Sequence, residues 1–142
     1  SFGTIGLSDF PLETDRGKAQ FGLEIVGACE SSVADFANML STAALCIIKD
    51  RWPCFPYATF PDVVDMYRVS KTMHHLFFTD AFLWGDHFSS QVLSQKTVAW
   101  LQAVPISESE LRVCEREGGE ALHALLKSKK VNVCNIDRNS VA

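Results

Sequence analysis

The stretch Lys96-Thr97-Val98-Ala99-Trp100-Leu101-Gln102-Ala103-Val104-Pro105-Ile106-Ser107-Glu108-Ser109-Glu110 decides the fold. From Lys96 to Val104 it is apolar with few interruptions, the pattern of a strand buried on both faces, and Pro105 is expected to end it. Ser107 and Glu110 then stand in capping-box spacing: the hydroxyl can accept the N–H of the glutamate while the carboxylate reaches back to the serine N–H. The helix opened there carries its apolar stripe on Leu111, Cys114, Gly118, Leu122, Leu125 and Leu126. Gly118-Gly119 inside such a helix costs roughly 1 kcal/mol per glycine relative to alanine, which predicts close packing against another element.

Working outward, Val131, Val133 and Ile136 read as a last strand before the polar tail Asp137-Arg138-Asn139-Ser140. Upstream, Val63–Val69 is β-branched enough for a strand, and His74–Phe78 reads as another, with Asp80 marking a turn. A second long helix is predicted from a box-like start at Ser32 and Asp35. Its stripe, Val33, Phe36, Ala37, Leu40, Ala44, Ile47 and Ile48, runs toward Pro53. Phe21, Leu23 and Ile25 alternate with Gly22 and Glu24 as in a half-buried strand, and Phe2–Leu7 reads as a short one, followed by a loop through Pro11 and Gly17. Two long helices around a mixed sheet, without strict strand–helix alternation, make an α+β domain. No linker or repeat divides residues 1–142, so one domain is expected. The chain begins at Ser1 in strand-like sequence, which leaves room for missing N-terminal residues.

Hydrophobic residues make up 47% and charged residues 21% of the 142, enough apolar material for a core of this size without disulfide or metal. A net charge of −4 argues against a phosphate-gripping surface. The basic cluster Lys127, Lys129 and Lys130 sits at a helix end, where it complements the dipole. Five cysteines, an odd number with no C-x-x-C, indicate free thiols and a reducing, cytoplasmic setting. The longest uncharged apolar run, Phe36–Ile48, falls short of a membrane span.

Little chemistry is expected. His74 and His75, adjacent on a strand, should point to opposite faces; His87 lies in a turn, and His123 on a helix without a partner at i+4. One core histidine and three surface ones therefore leave no metal site. Cys54, in Pro53-Cys54-Phe55-Pro56, is the only candidate for a reactive thiol, and packing is the preferred reading even there. No glycine arrangement fits a nucleotide. Trp52 and Trp84 border turns, where aromatics anchor interfaces, although capping the core is the competing explanation.

Ile5-Gly6-Leu7-Ser8-Asp9-Phe10-Pro11 and Phe21-Gly22-Leu23-Glu24-Ile25 open a longer series. It continues with Met73-His74-His75-Leu76-Phe77-Phe78-Thr79, Phe82-Leu83-Trp84 and Trp100-Leu101-Gln102-Ala103-Val104-Pro105-Ile106, then Glu110, Gly118, Leu122, Arg138 and Ser140. In order and spacing the series resembles the suppressor-of-fused-like domain family over nearly the whole chain, with the family's Glu-Leu pair reversed here as Leu23-Glu24. The resemblance implies a mixed sheet with helices around it and a non-enzymatic domain that binds other proteins. The animal member sequesters a transcription factor; bacterial members are read as immunity proteins that neutralise toxins. A chain of this length is expected to lack the animal protein's additional C-terminal domain, so the resemblance implies the bacterial role.

The expectation is thus a cytoplasmic protein-binding domain, an immunity protein neutralising a bacterial toxin or, alternatively, an adaptor or regulatory module; a thiol- or histidine-dependent enzyme using Cys54 or His87 is the remaining reading. No catalytic residue, cofactor, metal, nucleic acid or membrane is expected. Trp52, Tyr57, Trp84, Asp86 and His87 are the candidate partner-binding residues. Asp50, Asp62, Asp80 and Asp86 could form a negative rim that steers a basic partner such as a nuclease toxin. Glu24 and Arg138 match polar positions of the family and are expected to form an ion pair tying the last strand to the second.

Overall fold

In a computed structural model, which describes residues 1–10, 12–14, 17–18 and 21–142, the chain begins with β1 (Phe2–Gly3), β2 (Glu13–Thr14), β3 (Gly17–Lys18) and β4 (Phe21–Gly27). It continues through α1 (Phe36–Asp50), β5 (Thr59–Phe60), β6 (His75–Thr79), β7 (Gln91–Val92), β8 (Thr97–Ile106), α2 (Glu108–Glu117) and α3 (Gly119–Ser128). Short 3-10 turns cover Leu7–Asp9, Asp65–Tyr67 and Phe82–Phe88. Pro11, where the first family-like motif ends, lies outside the described residues.

The main sheet runs β1-β4-β8-β6-β5, with β7 also paired to β8. β4 and β8 are parallel and the other pairs antiparallel, so the sheet is mixed and the fold α+β. Side-chain alternation divides the core. Leu23, Ile25, Leu76, Phe78, Leu101 and Ala103 meet Phe36, Met39, Leu40, Ala43 and Ile47 of α1 on one face. Phe77, Val104 and Ile106 meet Leu111, Val113, Leu122 and Leu126 of α2 and α3 on the other. β8 is therefore buried on both faces, as its apolar run predicts.

Pro105 does not end that strand. The β4 pairing stops at Val26 opposite Gln102, so Pro105 sits where one side of β8 is already free of a strand partner and its missing N–H breaks no ladder bond there. The Ser107–Glu110 capping box forms in full: Glu110 N–H donates to Ser107 Oγ at 3.2 Å, and Ser107 N–H to Glu110 Oε2 at 3.0 Å.

Five other expectations are corrected. The helix opened by the Ser107–Glu110 box is two helices, because Gly118 adopts φ 90°, a conformation open mainly to glycine. Val63–Val69 is not a strand. Val63 and Val64 are both buried, the chain turns at Asp62 and Arg68 with positive φ, and β-branched content without alternation is no strand signal. The 131–136 segment is a pair of turns in which Asn132 Oδ1 accepts from Cys134 N–H and Asn135 Oδ1 from Asp137 N–H. α1 starts one turn late: Asp35 is itself the N-cap, and its carboxylate is bonded to Asn38 at 2.9 Å rather than to the helix backbone. Phe2–Leu7 keeps only β1 as strand, and then winds into a 3-10 turn.

Candidate functional site

Phe82–Phe88 leaves β6 through Asp80 and covers the half of the second sheet face that α2 and α3 leave open. Its two 3-10 pieces are split at Gly85, whose φ of 58° and ψ of −132° redirect the chain. Trp84 meets Phe88 edge-on at 5.2 Å, Phe88 meets Trp100 of β8 at 4.9 Å, and Leu83 N–H donates to buried Gln102 Oε1 at 3.3 Å. Trp84 is thus half-buried on an aromatic ladder, while Asp86 and His87 are exposed at its outer end. Leu83 is 40% exposed, and just beyond the turn Val92 is 83% and Leu93 49% exposed. This combination of fixed aromatics, exposed aliphatics and one free carboxylate suits protein contact.

The two expected aromatic segments do meet, but not through their tryptophans. Tyr57 (φ 73°) stacks on Phe77, and its ring lies 5.5 Å from that of His123 on α3; Phe82 lies 5.8 Å from the same imidazole. Asp80 Oδ1 is 3.0 Å from His123 Nε2 in an ion-pair approach too misaligned for a hydrogen bond. Lys127 stands 3.8 Å from the other oxygen and over the Phe82 ring. Burial lowers the His123 pKa; Asp80 opposes that and Lys127 adds to it. His123 has no distinguishing sequence context; only its helical register toward Tyr57 makes it central.

Trp52 is elsewhere. It packs edge-on against Phe60 at 5.0 Å in the α1-side cluster, so Trp52 and Trp84 lie over opposite faces of the sheet and do not make one surface. The expected Glu24–Arg138 pair is also corrected. Glu24 accepts from the Thr4 hydroxyl and from the N–H groups of Gly6 (2.9 Å) and Ser8 (3.1 Å). Arg138 donates to both oxygens of fully buried Glu110 at 2.6 and 2.8 Å and to Pro105 O at 3.0 Å. Glu24 lies opposite Trp100, well before Pro105 along β8, so the tail docks at the far end of the strand from Glu24.

The remaining chemical candidates are occupied structurally. Cys54 is buried and burial pushes its thiol far up, the reverse of an activated nucleophile. His75 and His123 are both buried, where one core histidine was expected. His75 Nδ1 accepts from Asp62 N–H at 2.9 Å and its Nε2 lies 3.0 Å from Glu108, while His74 bonds Asp65 at 2.7 Å. The His74 and His75 rings sit 5.8 Å apart rather than on opposite faces, because β6 starts only at His75. Among the described residues no group of three or more His, Cys, Asp or Glu is placed to hold a metal. No helix among them is long and apolar enough to cross a membrane. A second exposed apolar area, with Phe2, Ile5 (98% exposed) and Phe10, borders a groove against Leu45 and Ile48 of α1.

The family model described as "Suppressor of fused protein (SUFU)" matches residues 1–139. The chain is 40% identical over 141 residues to "Immunity protein YqcF" of Bacillus subtilis (strain 168), covering 99% of this chain and 73% of that protein. Among solved structures, a putative suppressor of fused homolog from Neisseria gonorrhoeae FA 1090 superposes with a TM-score of 0.62 at 13% identity over 87% of this chain. A chain of the Sufu-Fu complex superposes with a TM-score of 0.61 at 17% identity over 85%. This chain spans 64% and 57% of the length of those two solved chains.

Proposed function

This chain belongs to the suppressor of fused family, and on that premise we propose that it is a non-enzymatic, cytoplasmic immunity protein that neutralises a bacterial toxin by binding it. The 40% identity to a protein named as an immunity protein is the observation that carries the reading. Its binding surface is the Phe82–Phe88 turn, with Trp84 as the apolar anchor, Asp86 and His87 as polar contacts and Tyr57 at the margin. Trp52, on the other face, supports the core. The turn suits the role because its backbone is fixed to β8 by the aromatic ladder, so little freedom is lost on binding. Asp86 favours a basic partner, and a net charge of −4 makes its effect one of encounter rate more than of affinity.

The test is co-expression in a bacterial host with the toxin domain encoded beside its gene, followed by titration of the purified pair. Restored growth together with a stoichiometric complex supports neutralisation by binding. Growth restored without a complex, or a complex without protection, defeats it.

A further inference from the structure

Cys29 follows the end of β4, and Cys134 lies in the Asn-bonded turns that replace the expected last strand. Far apart in sequence, they are neighbours in space. Glu30 N–H donates to the carbonyl of Cys134 at 3.1 Å. A hydrogen bond from the residue after one cysteine to the other's own carbonyl sets their Cα atoms roughly 5–6 Å apart by ordinary peptide geometry. Disulfides span about 4.4–6.8 Å between Cα atoms. Both side chains are partly exposed, unlike Cys46 and Cys54, which are buried. The negative charge of one thiolate also opposes ionisation of the other, as expected of close sulfurs.

We propose that Cys29 and Cys134 form a thiol–disulfide site, closing an intramolecular bridge when a low-molecular-weight disulfide such as oxidised glutathione is present. One protein thiolate attacks the glutathione disulfide, forming a mixed disulfide and releasing one glutathione thiolate. The second protein thiolate attacks the protein sulfur of that mixed disulfide and displaces the second glutathione. Two protein thiols become one disulfide, and one oxidised glutathione becomes two reduced. Burial raises both thiols, so exchange is slow at neutral pH and quickens as pH rises. The bridge would bolt the end of β4 to the segment that leads into Arg138, closing the long loop between them and raising stability mainly through the unfolded chain. This site is independent of the partner proposed above.

The full chain is incubated with oxidised glutathione at pH 8, alkylated in denaturant and digested without reduction for mass spectrometry. The expected result is a single linked peptide pair containing Cys29 and Cys134, a fall from five free thiols to three, a melting temperature several degrees higher, and reversal by dithiothreitol. Cys29→Ser and Cys134→Ser should each lose the bridge and take up at most one glutathione at the remaining cysteine. The proposal is overturned by a wild-type chain that keeps five thiols or carries glutathione on both cysteines without a bridge. It is equally overturned by a bridge that joins other cysteines or persists in both variants.

Discussion

Arg138 is the residue on which the C-terminal tail depends. Its guanidinium grips both oxygens of Glu110, which also accepts from the N–H groups of Ser107 and Val141, so one buried carboxylate joins the start of α2 to the end of the chain. Breaking a buried pair leaves an unmatched charge and typically costs about 3–5 kcal/mol, whereas an exposed pair is worth ~0–1 kcal/mol. Arg138→Ala should therefore lower unfolding free energy by a few kcal/mol in urea titration, and a change below about 1 kcal/mol would mean that the pair is not buried in solution. His123 predicts a pH response. Burial holds its folded-state pKa below the unfolded value of about 6.5. The folded state thus takes the proton less readily, and the stability difference is present above that pH and lost as pH falls through the folded pKa. Melting temperature should decline from pH 7 toward pH 5, and His123→Gln should flatten that limb. Glu24 acts with the same sign in a more acidic window. Burial alone would raise its pKa, but the bonds from Thr4, Ser8 and Gly6 bring it below 4.5. Its contribution is full above that pH and lost as pH falls through the lowered value.

At the scale of elements, the break between α2 and α3 matters more than the helices' length. Gly118 supplies the left-handed turn, and Gly119 lets α3 press on the loop before β5: a Cβ there would lie 2.3 Å from Tyr57 Cβ and 3.0 Å from its carbonyl oxygen. The close packing expected for the Gly-Gly pair is thus realised at Gly119. Gly119→Ala should destabilise by about 1–3 kcal/mol through overpacking, and fluorescence of Tyr57 should report its displacement. Ser107→Ala removes the α2 cap and its hydroxyl contact with Ser140 at 2.8 Å. Loss of the cap alone is worth about 1 kcal/mol in thermal unfolding. An effect near zero would show that Glu110 holds the helix start without the hydroxyl.

For the whole molecule, the three-layer arrangement separates two roles that look alike in sequence. Trp52 completes the α1-side core, whereas Trp84 sits on the ladder that carries the exposed turn. Trp52→Ala should lower melting temperature and leave affinity for the proposed toxin partner nearly unchanged. Trp84→Ala should weaken binding at least tenfold with a smaller stability cost, measured by calorimetry and thermal unfolding on the same preparations. If Trp84→Ala loses stability alone, the turn is only a lid on the sheet. Asp86→Asn should slow association at low salt, and the difference should shrink as ionic strength rises.

What the amino-acid order determined by itself was local or periodic. The buried run of β8 and the Ser107–Glu110 box, the α1 stripe from Phe36, and the family pattern over most of the chain depend on neighbours a few residues apart, and all appear in the structure. Turn chemistry was equally legible in principle: Asn132 and Asn135 carry the signal that Val131, Val133 and Ile136 obscured. Only the tertiary structure decided which distant residues became partners: Arg138 with Glu110 instead of Glu24, His123 with Tyr57 and Phe82, Cys29 beside Cys134, and Trp52 on the opposite face from Trp84. Those pairings follow from strand order, from the parallel register of β4 on β8 and from where the tail crosses the sheet. A period of two or 3.6 says which face a side chain takes within its own element, but not which element will cover that face.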